Sequence, residues 1–166
     1  MTEVSAASVA PLEPALGIAV AQFVPGTDEG QNLASMRALA ATAVRRGARV
    51  VVFPEYAQYF DTVLGAGFVA AAQPVSGSFV SALAGLARDF AVHIVAGMVE
   101  STPERARFSN TLVAVDPSGH IVATYRKQHL YDAFGARESD WVVPGALAAP
   151  QTFLVHGLRL GLQTCY

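Results

Sequence analysis

Apolar residues along the chain alternate between short unbroken runs and longer stretches at helical spacing, with Gly, Pro and Asp between them. Residues 16–23 (LGIAVAQF) are a short apolar run closed by Pro25-Gly26-Thr27-Asp28, which predicts a buried strand followed by a turn. Asp28 stands where a cap for the next helix belongs. Residues 32–46 (NLASMRALAATAVRR) place Leu33, Met36, Leu39, Ala40 and Ala43 on one helical face, and the helix is expected to stop at Gly47 with arginines in its last turn. A second strand, 49–53, follows at once. Strand, helix, strand in this order is a βαβ unit, so the two strands are expected to be parallel and joined by a right-handed crossover.

Residues 77–90 (GSFVSALAGLARDF) repeat the helical pattern and residues 93–99 (HIVAGMV) supply a third strand. The rhythm then changes. Residues 110–115 and 120–125 flank Asp116-Pro117-Ser118-Gly119, which predicts a hairpin. A polar, Gly-containing loop is expected over 128–150, then a second hairpin from strands 151–156 and 158–164 turning at Gly157, with Cys165 at the end of its last strand. The sequence carries no internal repeat. An α/β sheet would continue beyond that last strand, so the domain over 16–166 is expected to be incomplete at its C-terminal end.

Composition narrows the class. A chain of 166 residues, 52% hydrophobic and 14% charged, suits one domain with a substantial core. A net charge of -2 offers no field to hold a polyanion, which argues against nucleic acid as a partner. Apolar runs are broken well before the roughly 20 residues a membrane span needs, so no membrane partner is expected. Residues 1–15 mix Glu3, Pro11, Glu13 and Pro14 with small residues and read as a flexible tail rather than a signal peptide. With one cysteine no internal disulfide can form, and a reducing cytoplasm is the expected location.

Three polar side chains stand at the ends of apolar strands, where an α/β sheet presents reactive groups: Glu55, Lys127 and Cys165. A carboxylate after VVVFP lies at the rim of a core and can serve as a base. A thiol attacks a carbonyl or nitrile carbon as its thiolate, so Cys165 needs a proton acceptor and a nearby cation. Glu55 and Lys127 supply one of each. Lys127 and the backbone N–H of Tyr166 are the expected donors to the oxyanion of a tetrahedral intermediate. Each residue alone also has a plain reading: Cys165 as a buried apolar thiol, Glu55 as a helix-start cap, Lys127 as a solvated strand end.

The segments VVFPE (51–55), YRKQHLYDAFGARES (125–139) and GLQTCY (161–166) resemble, in order, the three signature segments of the nitrilase superfamily of carbon-nitrogen hydrolases. The resemblance covers residues 16–166 and implies an α/β fold, the αββα sandwich of that family, of which this chain holds the N-terminal part. It implies a Glu-Lys-Cys triad on Glu55, Lys127 and Cys165, with Glu138 as an assisting glutamate that orients groups in the pocket. The implied reaction is hydrolysis of a non-peptide carbon-nitrogen bond in a small carboxamide through a cysteine thioester. The 125–139 segment is closest to the deaminated glutathione amidase and ω-amidase branch. No metal or organic cofactor is implied, and a homodimer or larger homo-oligomer is.

Phe60, Tyr131 and Phe134 are candidate pocket walls, with ordinary packing as the alternative. His93, His120, His129 and His156 fit no metal-ligand spacing. Four other readings stay open at this point: a nitrilase, an N-carbamoyl hydrolase, a Cys-His hydrolase pairing Cys165 with His129 or His156, and a truncated, non-catalytic binding module.

Overall fold

The computed structural model describes residues 16–149 and 151–165. The tail expected over 1–15, Pro150 and Tyr166 lie outside the described residues. In chain order the elements are β1 (Gly17–Val20), α1 (Glu29–Arg45), β2 (Ala48–Val52), α2 (Ala66–Ala71), α3 (Ser78–Phe90), β3 (His93–Ser101), β4 (Phe108–Val115) and β5 (Ile121–Arg126). Two small hairpins follow, β6 (Asp132–Ala133) with β7 (Ala136–Arg137), and β8 (Thr152–Val155) with β9 (Leu158–Gly161).

β1 to β5 form one five-stranded sheet in sequence order. β1, β2 and β3 are parallel, as the βαβ reading requires, and β4 is antiparallel to both β3 and β5. β5 therefore runs the same way as β3. The C-terminal ends of β2, β3 and β5 consequently lie along one edge of the sheet, and the start of β4 lies there too.

The two faces of this sheet are covered differently. On one, α1 and α3 bury Met36, Ala40, Phe79, Leu83 and Leu86 against Val51, Ile94, Ala96, Met98 and Val113. On the other, the β8–β9 hairpin sets Phe153 and Val155, with Leu162 beyond it, on Val50, Val95, Leu112 and Ala114. Helix, sheet and a second β layer are thus three layers of the expected sandwich.

α1 begins three residues earlier than its apolar spacing predicts, because the Asp28 carboxylate accepts a hydrogen bond from the Gln31 N–H at 3.0 Å and opens the helix at Glu29. The first turn, Glu29-Gly30-Gln31, is polar and carries no periodicity. α2 and the β6–β7 hairpin were not foreseen within their loops; both are too short to show a repeat in the sequence. The last strand ends at Gly161 rather than running to 164, since β9 pairs only with the four-residue β8. Cys165 therefore sits beyond the strand, in irregular backbone.

Candidate active site

Glu55 reaches the site because the chain leaving β2 folds across β3. The Phe53 N–H still bonds the Val95 carbonyl at 2.8 Å, the Gly97 N–H donates to the Pro54 carbonyl at 3.2 Å, and the Gln58 N–H donates to the Gly97 carbonyl at 3.2 Å. A Cβ at Gly97 would meet the Tyr56 nitrogen at 2.5 Å and the Glu55 Cα at 2.8 Å, so this crossing requires glycine at that position. Tyr56 turns the chain with φ of 57°, a left-handed conformation uncommon outside glycine. No helix begins at Glu55, which removes the capping reading of that residue.

Lys127 follows β5 and is locked on both sides of its peptide. Its N–H donates to the Asn110 carbonyl at 2.9 Å, and its own carbonyl accepts from the Gly145 N–H at 2.8 Å. The residue is 3% exposed, not a solvated strand end. Its ammonium donates to both Glu138 oxygens, at 2.9 and 2.8 Å, and lies 3.8 Å from Glu55 Oε1.

Burial pulls the Lys127 pKa down. The hydrogen bonds and charge of Glu138, the charge of Glu55 and the nearby Cys165 thiol together outweigh it, and the value ends above that of an ordinary lysine. The ammonium is therefore a fixed cation throughout the neutral range.

Glu138 opens a 3-10 turn, Glu138–Asp140, and is itself buried. It also accepts the Tyr131 N–H at 2.7 Å, so one carboxylate ties the lysine to the loop above it. Asp132 fixes the same loop by accepting the Ser139 N–H at 3.0 Å and the Ser139 hydroxyl at 2.6 Å.

Cys165 has φ of 56°, the second left-handed non-glycine residue at this site after Tyr56, and is an exposed free thiol. It is not the buried apolar residue that a lone cysteine after an apolar strand would suggest. Glu55, Lys127, Glu138 and Cys165 line one cavity of about 550 Å³, with Tyr56, Leu64, Tyr131 and Trp141 among its walls.

Of the three aromatic candidates, Tyr131 lines this cavity. Phe60 instead packs edge-on against Phe68, with ring centroids 6.4 Å apart, and Phe134 projects into solvent from the β6–β7 turn at 99% exposure. Neither is among the lining residues. Tyr166, the expected second oxyanion donor, lies outside the described residues.

The four histidines are elsewhere, and none lines the cavity. His93, for example, stacks on Phe153 at 5.7 Å. Among the described residues no cluster of His, Cys, Asp and Glu has the makings of a metal site. No helix among them is long and apolar enough to cross a membrane.

One residue at the site escaped the sequence reading. Asn110, fully buried in β4, donates from Nδ2 to Glu55 Oε1 at 2.5 Å. The signal that marks it is the polar triplet Ser109-Asn110-Thr111 just ahead of the apolar run LVAV in β4.

Residues 17–166 match the family model described as carbon-nitrogen hydrolase. A Mycobacterium tuberculosis protein named as a hydrolase is 38% identical over 151 residues, covering 90% of this chain and 52% of the relative. A deaminated glutathione amidase of Escherichia coli O157:H7 is 36% identical over 150 residues, covering 90% of this chain and 56% of that protein. An amidase from Nesterenkonia sp. AN1, solved with acrylamide added at its active-site cysteine, superposes with a TM-score of 0.78 at 28% identity, covering 92% of this chain and 58% of that one. The chain spans about half the length of the curated relatives it matches.

Proposed function

The chain belongs to the carbon-nitrogen hydrolase family, and from that premise we propose that it is part of an amidase that hydrolyses a small carboxamide to acid and ammonia. The observation that carries this reading is the shared cavity, in which a thiol, a carboxylate and a buried ammonium meet with Glu138 holding the ammonium in place. The names of the relatives support a small linear amide as the substrate: deaminated glutathione amidase in one case and ω-amidase in another.

In this mechanism Glu55 takes the Cys165 proton and the sulfur attacks the amide carbon, forming a tetrahedral intermediate whose oxyanion faces the Lys127 ammonium. Protonated Glu55 gives its proton to the leaving nitrogen, the carbon-nitrogen bond breaks, and ammonia departs from a thioester. A water then loses its proton to Glu55 and attacks the thioester carbon. The carbon-sulfur bond breaks, and the thiolate recovers that proton as the acid leaves. Glu138 does no proton transfer in this scheme; it keeps the cation aimed at the oxyanion.

The test is ammonia release by the full-length protein from a panel of small amides, with intact-mass measurement of adducts on Cys165. The native protein is expected to release ammonia and to show a transient acyl adduct, and Cys165→Ala to do neither. Ammonia release at the native rate from Cys165→Ala would overturn the mechanism. An adduct formed only from nitriles or N-carbamoyl compounds would overturn the substrate class.

A further inference from the structure

We propose that Asn110 is a positioning residue that selects which oxygen of Glu55 acts as the base. The inference rests on the amidase reading for its consequence in catalysis, but the geometry behind it is independent of any substrate. Asn110 is fully buried at the start of β4, opposite Val99 of β3, and its backbone carbonyl receives the Lys127 N–H. It therefore touches both arms of the site, through its main chain to Lys127 and through its side chain to Glu55.

The side chain faces two groups, the Glu55 carboxylate and the buried Tyr56 hydroxyl. Nδ2 donates to Glu55 Oε1 at 2.5 Å, while Oδ1 is buried and has no hydrogen-bond partner among the described residues. Buried side-chain amides are mostly satisfied at both ends, and an exception calls for an explanation. Here one end is left bare, and the other is spent on a carboxylate whose side chain is one-third exposed. Rotating the amide would turn Oδ1 toward the carboxylate and replace a charge-assisted hydrogen bond by repulsion. Glu55 thus dictates the orientation of Asn110, and Asn110 in return fixes the rotation of Glu55.

The consequence is a division of labour between the two carboxylate oxygens. Oε1 is engaged by Asn110 and faces the Lys127 ammonium at 3.8 Å. Among the described residues Glu55 accepts hydrogen bonds only through Oε1, which leaves Oε2 for the thiol proton. The charged and titratable groups around this carboxylate are Lys127 after β5, Glu138 in the 3-10 turn, Tyr56 next to it in the chain, and Cys165 across the cavity. Asn110 holds this carboxylate in place without adding a charge that the substrate would meet.

The experiment compares full-length native protein with Asn110→Ala and Asn110→Asp, each checked for native secondary structure by circular dichroism. Two rates are read against pH: ammonia release, and alkylation of Cys165 by iodoacetamide followed by mass. Asn110→Ala is expected to lower kcat about 10- to 100-fold with KM within about threefold, because a misaimed base costs turnover rather than binding. Cys165 alkylation is expected to slow by about tenfold. In Asn110→Asp a second carboxyl group faces the first and the pair shares a proton, so the acid limb of both profiles is expected to move up by about one pH unit.

Where the alanine variant does not fold, the isosteric aspartate variant decides. Native kcat together with native acid limbs in a folded variant would overturn the proposal. Alkylation needs no substrate, so it settles the role of Asn110 even if the native protein releases no ammonia, an outcome that would instead count against the amidase reading.

Discussion

Glu138 and Lys127 are the most tightly bound charged pair of the site, and their burial determines what losing one partner does. With Lys127 3% and Glu138 8% exposed, neither charge is solvated once the other is removed. Breaking such a pair costs about 3–5 kcal/mol, because an unpaired charge is left inside, whereas an exposed pair is worth less than about 1 kcal/mol. Glu138→Ala is accordingly expected to lower the unfolding free energy of the full-length protein by about 3 kcal/mol in urea titrations and to reduce kcat.

The pH dependence follows from the direction of the Lys127 shift. Its folded pKa lies above the unfolded value of about 10.4, so its stabilising contribution is complete below that pH and is lost as pH rises through the folded value. In Glu138→Gln the folded value falls while the unfolded one stays, so the alkaline loss of stability is expected to be smaller than in the native protein and to be complete at lower pH. Identical alkaline limbs in urea midpoints of the two proteins would show that Glu138 does not hold the ammonium.

Among the elements, the crossing of the β2 end over β3 shows why the site could be read only in part from the sequence. VVVFP followed by a carboxylate marks a strand end and a rim, and that much is local. The contact of Glu55 with Lys127 depends on Gly97 in the middle of β3, some forty positions along, where a side chain would collide with the backbone at Glu55 and Tyr56. Nothing in HIVAGMV distinguishes that glycine from one that merely weakens a strand. Gly97→Ala is expected to displace Glu55, lower kcat at least tenfold and destabilise by about 1–3 kcal/mol, as overpacking does. Cys165 should remain open to alkylation, although more slowly than in the native protein. Full activity in that variant would mean the crossing is not what positions the base.

The same limit explains Asn110, Phe60 and Phe134. The strands carrying Glu55 and Lys127 were legible because their apolar runs are long. The role of Asn110 depends on strand pairing across the sheet, which periodicity does not reveal. Phe60 and Phe134 lie near Glu55 and Lys127 in sequence but do not line the cavity. One is drawn off by an aromatic cluster around Phe68, and the other is carried outward by a tight turn with left-handed backbone at Phe134 and Gly135.

At the scale of the molecule, the sheet divides stability from reactivity by face. Its helical face buries Leu83 completely against residues of the strands and contributes no side chain to the cavity. Its other face holds the β8–β9 hairpin, from which the chain runs directly to Cys165. Leu83→Ala removes a fully buried side chain and is expected to cost about 2–5 kcal/mol. Phe153→Asp puts a charge between the hairpin and Val50, Val95 and Leu112, in place of a ring that packs on them and stacks on His93, and is expected to lift the hairpin from the sheet. The two variants are therefore predicted to separate two quantities measured on the same full-length protein. Leu83→Ala should lower the urea midpoint while Cys165 keeps its native alkylation rate under conditions where the variant stays folded. Phe153→Asp should change that rate as well, because the thiol is held near Lys127 only through the chain that the hairpin anchors. Equal effects of the two variants on Cys165 would show that the thiol is positioned by the fold as a whole rather than by the β8–β9 layer.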